Sequence, residues 1–354
     1  MKIITVILMA TSECNFHCTY CYSAASRKNI KRFNPDMIEK LVENCSYGFD
    51  SVEFCLLGGE PLLVGMDFFK RLVKAQQSEQ SKGRVKFANI LQSNGSLINK
   101  EWLSFFKENG FRLGISFDAP PEIHFQHRKS DPNQIIHVCQ EIKEAGLPLR
   151  TLCVISKFNV TKAKEVFNFY GELGVDSFSL LPLKSVLLTE RPEMPTNDDL
   201  FKFYRDMFDM WLKIPNKFSS IEPLDTMIRA VLGQKPKLCS FNSSCLQKMI
   251  AINQEGEVVP CGSLVAENFV LGNIIDQPLL DILSNARSQE LRSLRENHIQ
   301  EKCKNCEFVA ICQGGCRADA FWHSGKYDGE YPYCESRKEL FSHVRSQLGK
   351  LFKT

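Results

Sequence analysis

No stretch of the 354 residues approaches the roughly 18 consecutive apolar residues that a membrane-spanning helix requires. The apolar segment 3–10 (IITVILMA) is too short to span a bilayer. Glu13, directly before Cys14, is the wrong residue type for the small-residue cleavage site of an exported protein. The segment is therefore read as a buried first strand. An excess of charge of one sign is also missing: 44 Lys and Arg offset 41 Asp and Glu, for a net +3. That balance excludes the electrostatic footprint of a dedicated nucleic-acid or membrane-surface binder. Internal repeats and low-complexity tracts are absent, which excludes a solenoid. Fifteen cysteines are too few for a disulfide-dense scaffold of this size, and the number is odd. Their spacings suit metal ligation instead, which places the chain in a reducing cytoplasm.

What is present is an alternation of strand and helix. Apolar, β-branched runs lie at 3–9, 51–57, 85–91, 111–117, 149–155 and 177–181. Amphipathic stretches separate them. One opens at Asn34-Pro35, an N-cap followed by proline, and carries Met37, Ile38, Leu41, Val42 and Cys45 on one face. Another carries Ile135, Val138, Cys139 and Ile142. Six such repeats predict a parallel α/β sheet with right-handed crossovers, short of the eight of a full barrel. The expected organisation is a partial (β/α)6 barrel over 1–186, a linker with bridging helices over 187–238, a small Cys-rich α+β domain over 239–338, and a C-terminal helix over 339–354. Segment 249–259 is read as a hairpin turning at Glu255-Gly256.

Cys14-Asn-Phe-His-Cys18-Thr-Tyr-Cys21 follows the first strand directly, at the edge where barrel enzymes place their chemistry. Three thiolates can wrap one iron–sulfur cluster, and the missing fourth leaves one iron open to a substrate. The competing reading is a zinc knot completed by His17.

The C-x3-C-x-Y-C pattern after the first strand resembles the radical S-adenosylmethionine (SAM) superfamily. The resemblance implies that the open iron is chelated by the amino and carboxylate groups of SAM. Reduction by one electron then releases a 5′-deoxyadenosyl radical, which removes hydrogen from an unactivated C–H bond. Further positions match in order. Gly58-Gly59-Glu60-Pro61 follows the second strand, where the family's GGEP motif holds the SAM amino group. Gln92-Ser93-Asn94-Gly95 resembles the family's QTNG, and Ser116 with Asp118 resembles its S-x-D-G, with Ala119 in place of the glycine. Ser116 would face the SAM ribose or methionine, Tyr20 would place its backbone near the adenine, and Arg128 is a candidate partner for the SAM carboxylate. His124 and His127 are expected in structural roles.

A second set of eight cysteines lies in the C-terminal third, and the remaining Cys45, Cys55, Cys139 and Cys153 sit in apolar contexts that suit core packing. Eight thiolates make two zinc sites or two iron–sulfur clusters, which spacing alone does not separate. The order closely resembles the SPASM extension of radical SAM enzymes. The resemblance implies an interleaved assignment: Cys239, Cys245, Cys261 and Cys316 for auxiliary cluster I, and Cys303, Cys306, Cys312 and Cys334 for auxiliary cluster II. The cofactors implied are SAM and three 4Fe-4S clusters.

SPASM enzymes mostly act on peptides or protein side chains. The overall resemblance is to anaerobic sulfatase-maturating enzymes, which carry an aspartate base directly after the third SPASM cysteine. Here the sequence is Pro260-Cys261-Gly262, and Leu57 replaces the glutamine that precedes GGEP. Glycine accepts no proton. The expectation drawn from this is a maturase that crosslinks a ribosomal precursor peptide through a cyclophane C–C or thioether bond. The alternatives are a formylglycine-generating sulfatase-maturating enzyme, an enzyme acting on a small metabolite, and a non-enzymatic metal scaffold. Expected partners are a precursor peptide and an external electron donor such as flavodoxin or ferredoxin; since the first strand begins at Ile3, any leader-peptide recognition is expected from a separate leader-peptide-binding protein or from the region Pro192–Leu238. No catalytic base is identified.

Overall fold

A computed structural model describes residues 2–21, 23, 29–83, 85–185, 191–242, 244–265 and 267–351. Residues 187–190 of the expected linker, and 352–354 of the expected terminal helix, lie outside the described residues. In chain order the strands are β1 (Ile3–Thr11), β2 (Ser51–Gly58), β3 (Lys86–Ser93), β4 (Arg112–Ser116), β5 (Leu149–Ile155), β6 (Ser177–Pro182), β7 (Ser220–Glu222), β8 (Met249–Ile252), β9 (Glu257–Val259) and β10 (Gly272–Asn273). The helices are α1 (Ile38–Ser46), α2 (Met66–Ser81), α3 (Lys100–Glu108), α4 (Pro121–Arg128), α5 (Pro132–Glu144), α6 (Ala163–Leu173), α7 (Asn197–Lys213), α8 (Leu224–Val231), α9 (Leu279–Ser284), α10 (Ala286–Lys302), α11 (Val309–Cys312), α12 (Arg317–Ser324) and α13 (Cys334–Leu351). The mixed α/β fold anticipated from the alternating pattern is present. The Cys-rich third, expected to hold mainly short strands and turns, is dominated by helices α9 to α13.

The chain forms two compact units that interleave in sequence. The first contains Met1–Ile115, His137–Pro148 and Ser244–Ser293. Its strands run in the order β10-β9-β8-β1-β2-β3-β4. β1 pairs in parallel with β2, Ile3 opposite Ser51, and with β8, Thr5 opposite Met249. β9 returns antiparallel to β8, as the hairpin pattern predicts. β1 is buried on both faces over most of its length, which its Ile- and Val-rich sequence allows. Asn34 caps the helical turn leading into α1 by accepting from Asp36 N at 3.0 Å. On α3, Trp102, Phe105 and Phe106 point inward and pack with Phe69 of α2 and Phe111, the Phe69–Trp102 centroids lying 5.0 Å apart. Because β1 to β4 are parallel, the cysteine loop, the Gly58-Gly59 loop and the Gln92–Gly95 loop all leave from one edge.

The second unit contains Ser116–Ile136, Leu149–Ser243 and Leu294–Thr354. Its strands β5, β6 and β7 are parallel, and α13 packs against α7 and α8. β7 was not anticipated; at three residues it carries no period of its own. Among the described residues, no helix is long and apolar enough to cross a membrane.

Candidate functional site

In the first unit, the loops after β1, β2 and β3 are bonded to one another through backbone and buried side chains. Gly59 N donates to Thr11 O at 2.8 Å, and Glu60 N donates to Glu13 O at 2.7 Å. A Cβ on Gly58, whose φ is +145°, would meet Thr11 O at 2.3 Å, and one on Gly59 would meet Glu13 O at 1.9 Å. Both glycines are thus required because the cysteine loop presses on them. That is a reason additional to the expected approach of an ammonium group.

Glu60 is fully buried. Its carboxylate accepts from Ser93 Oγ at 2.9 Å, Asn94 N at 2.8 Å and Leu62 N at 3.1 Å. Burial raises its pKa to about 7, against the pull of those three donors. Pro61 follows as the first residue of a helical turn capped by Glu60. Glu60 is therefore the tie between the Gly-Gly loop and the loop after β3.

Asn94 completes the connection. Its amide nitrogen donates to Asn15 Oδ1 at 2.8 Å and lies 4.0 Å from Cys14 Sγ. Its carbonyl oxygen accepts from Ser96 N and Oγ at 2.9 and 2.7 Å, and Asn15 donates back to Ser96 Oγ at 2.8 Å. Phe16, buried, directs its backbone N–H at Cys14 Sγ at 3.4 Å. Cys14, Cys18, Tyr20 and Cys21 are partly buried, whereas His17 is exposed. Beside these loops a cavity of about 490 Å³ opens between Ser12, Gly58 and Gly59 on one wall and Lys31, Glu255 and Glu257 on the other.

In the second unit, Ser116 ends β4, and Asp118 is fully buried. Arg128 holds Asp118 through Nε at 3.0 Å and Nη2 at 3.3 Å, and Val154 N donates to Asp118 at 2.8 Å. Burial alone would raise the Asp118 pKa, but Arg128, His127 and Val154 hold it well below the usual carboxylate range. Two nitrogens of Arg128, expected at the SAM carboxylate, are thus engaged by Asp118. His124 donates or accepts at Ser130 Oγ at 3.0 Å, and His127 does so at Ser156 Oγ at 3.0 Å. Burial and the Arg128 charge lower the His124 pKa to about 3. Both histidines therefore serve the Asp118 network.

Cys303, Cys306, Cys312 and Cys334 line one cavity of about 550 Å³ in this unit. Cys239 and Cys316 line another of about 210 Å³ at the end of β6. Cys245 and Cys261 belong to the first unit. Tetrahedral zinc, with Zn–S near ~2.3 Å, requires sulfurs within about 4 Å of one another. Among the described residues, the group of metal-ligating atoms gathered within 4.8 Å is Glu330, Cys334 and Glu335. Neither Cys14, Cys18 and Cys21 nor the four cysteines of the larger cavity converge to that distance. The larger cavity, lined by Cys303, Cys306, Cys312 and Cys334, has room for a polynuclear iron–sulfur group. By contrast, Cys45, Cys139 and Cys153 are fully buried in the core. Burial pushes the thiols of Cys139 and Cys153 up to about 12.

The two departures noted in the sequence are neighbours. A Cβ on Gly262 would lie 3.4 Å from Ile7 Cγ2 and 3.8 Å from Leu57 Cδ1. Residues 57 and 262 therefore form one apolar patch.

Residues 8–170 match the radical SAM superfamily, and residues 239–307 match the SPASM iron–sulfur cluster-binding domain. The chain is 28% identical to the cysteine-type anaerobic sulfatase-maturating enzyme of Clostridium perfringens (strain 13 / Type A), covering 97% of this chain and 96% of that one. It is 25% identical to the serine-type anaerobic sulfatase-maturating enzyme of Bacteroides thetaiotaomicron, covering 94% and 86%. The solved structure of native anSMEcpe with bound AdoMet and Cp18Cys peptide superposes with a TM-score of 0.89 at 27% identity, over 98% of each chain. These similarities overturn the expectation of a peptide-crosslinking maturase. That expectation rested on Leu57 and Gly262, whereas the likeness to sulfatase-maturating enzymes extends along nearly the whole chain.

Proposed function

We propose, from the premise that this chain is a radical SAM enzyme carrying a SPASM domain, that it oxidises a cysteine side chain of a protein or peptide to formylglycine. The carrying observation is the end-to-end likeness to a cysteine-type sulfatase-maturating enzyme. Cys14, Cys18 and Cys21 would hold the cluster that binds SAM, and the other eight cysteines the two auxiliary clusters. SAM bound there supplies the 5′-deoxyadenosyl radical, given an electron from an external donor.

The chain's own residues supply position and shielding. Glu60 and Asn94 fix the loops around Cys14. The cavity walled by Lys31, Glu255 and Glu257 offers a polar seat for a peptide backbone. The substrate Cβ loses one hydrogen atom to the radical. The thiol proton then leaves, and one electron would pass to an iron–sulfur group that the C-terminal cysteines would hold, giving a thioaldehyde, and water replaces the sulfur as hydrogen sulfide.

The proton needs a base, and Gly262 provides none. That base must therefore come from another acidic side chain of the site. General-base removal of this kind contributes about 10²–10⁴-fold.

The test is anaerobic incubation of a cysteine-containing sulfatase peptide with reductant and SAM, followed by mass spectrometry. An aldehyde at the cysteine supports the reading; a peptide left unmodified while SAM is cleaved sinks it.

A further inference from the structure

Arg337, on α13, is a partly buried cation whose ring and sulfur neighbours are unusual. Its guanidinium carbon lies 4.1 Å from the Phe241 ring centroid and 4.3 Å from that of Tyr331, so it is held between two aromatic faces. Nη1 donates to Ser240 O at 3.0 Å and lies 3.8 Å from Cys312 Sγ, within N–H···S range. Ser240 directly follows Cys239. The side chain lines both cysteine cavities of the second unit: the one with Cys303, Cys306, Cys312 and Cys334, and the one with Cys239 and Cys316. Among the described residues, no ion pair joins it to a carboxylate; the bonds found for it end on a carbonyl and a sulfur.

A charge taken out of water is costly unless paired. Two aromatic faces and the Ser240 carbonyl offset part of that cost, and the remaining partner is the Cys312 sulfur. A cluster bound by four thiolates is an anion that gains a further negative charge on reduction. Net charge and hydrogen bonds to the sulfurs are what set its potential. A fixed cation donating to one ligand sulfur therefore favours the reduced form.

We propose that Arg337 sets the reduction potential of the cluster held by Cys303, Cys306, Cys312 and Cys334, raising it through its charge and its bond to Cys312. The inference rests on the reading that these cysteines hold an iron–sulfur cluster. It identifies what makes that cluster the better electron acceptor.

The experiment is a redox titration of the full chain, reconstituted anaerobically and followed by electron paramagnetic resonance. A background with Cys14, Cys18 and Cys21 changed to Ala leaves the auxiliary signals alone. Arg337→Gln should displace the one-electron equilibrium at least tenfold toward the oxidised form, a fall of about 59 mV. Arg337→Lys, which keeps the charge, should shift it by less than half as much. Arg337→Met serves if the Gln variant does not load iron, since a flexible apolar chain fills the slot between the rings. Fully iron-loaded Gln or Met protein titrating like its parent overturns the proposal. So does an equal shift in the Lys and the neutral variants, which would indicate packing in place of charge. A parent protein with no iron in these sites defeats the underlying reading, an outcome visible by metal analysis before any titration.

Discussion

Glu60 shows how much one carboxylate can organise. Replacing it with Gln puts an amide N–H against at least one of the donors from Ser93, Asn94 or Leu62. A buried donor left unsatisfied costs roughly 1–3 kcal/mol. Glu60→Gln should lose stability on that scale in thermal unfolding and weaken SAM binding in equilibrium dialysis; unchanged values in both would refute the role. His124 gives a pH signature. Burial, Arg128 and His127 hold its folded pKa near about 3, while Asp118 and Asp131 pull the other way. The unfolded chain takes up the proton near ~6.5, so it binds more protons than the folded chain between these values. Stability therefore falls as pH drops from about 6.5 toward 3, by up to roughly 1.4 kcal/mol per unit. Asp118, whose pKa is depressed, adds its own loss only at lower pH. His124→Gln should flatten the upper part of this decline in urea unfolding at pH 6.5, 5 and 4. The cysteine motifs and GGEP were legible because their chemistry is local in sequence. The bonds from Glu60 to Ser93 and Asn94 were not, since more than 30 residues separate the partners. The pairing of Arg128 with Asp118, ten residues apart, was hidden in the same way.

At the scale of elements, β1 to β6 were legible because their β-branched runs are long and bounded by turn residues. β7 and β10, with three and two residues, carry no usable period. α10 escaped notice for the opposite reason: ARSQELRSLRENHIQEK is polar on nearly every face, so no apolar stripe marks it. α3 is the contrasting case, with Trp102, Phe105 and Phe106 forming a cluster with Phe69 and Phe111. Trp102→Ala should destabilise the protein by about 3–5 kcal/mol. Chemical denaturation would measure it, and a loss below 1 kcal/mol would show that the cluster closes over the gap.

For the whole molecule, the two units depend on metal to different degrees. The first is secured by seven paired strands, whereas the C-terminal part of the second surrounds a thiol-lined cavity with helices α10, α11 and α13. Folding free energy and metal binding are coupled in such regions. Removing iron should therefore lower the protection of backbone amides in 303–334 far more than in β1 to β4, as hydrogen exchange would report. Uniform loss would contradict this. In turnover assays, Cys14→Ala should abolish SAM cleavage, while Cys303→Ala should retain some cleavage and lose product.

The contact of Gly59 with Glu13 bears on how the enzyme is put together. The loop that carries Cys14 is fastened to its neighbours by the backbone bonds of Gly59 and Glu60 and by Asn94, so a side chain introduced at Gly59 would disturb two loops at once.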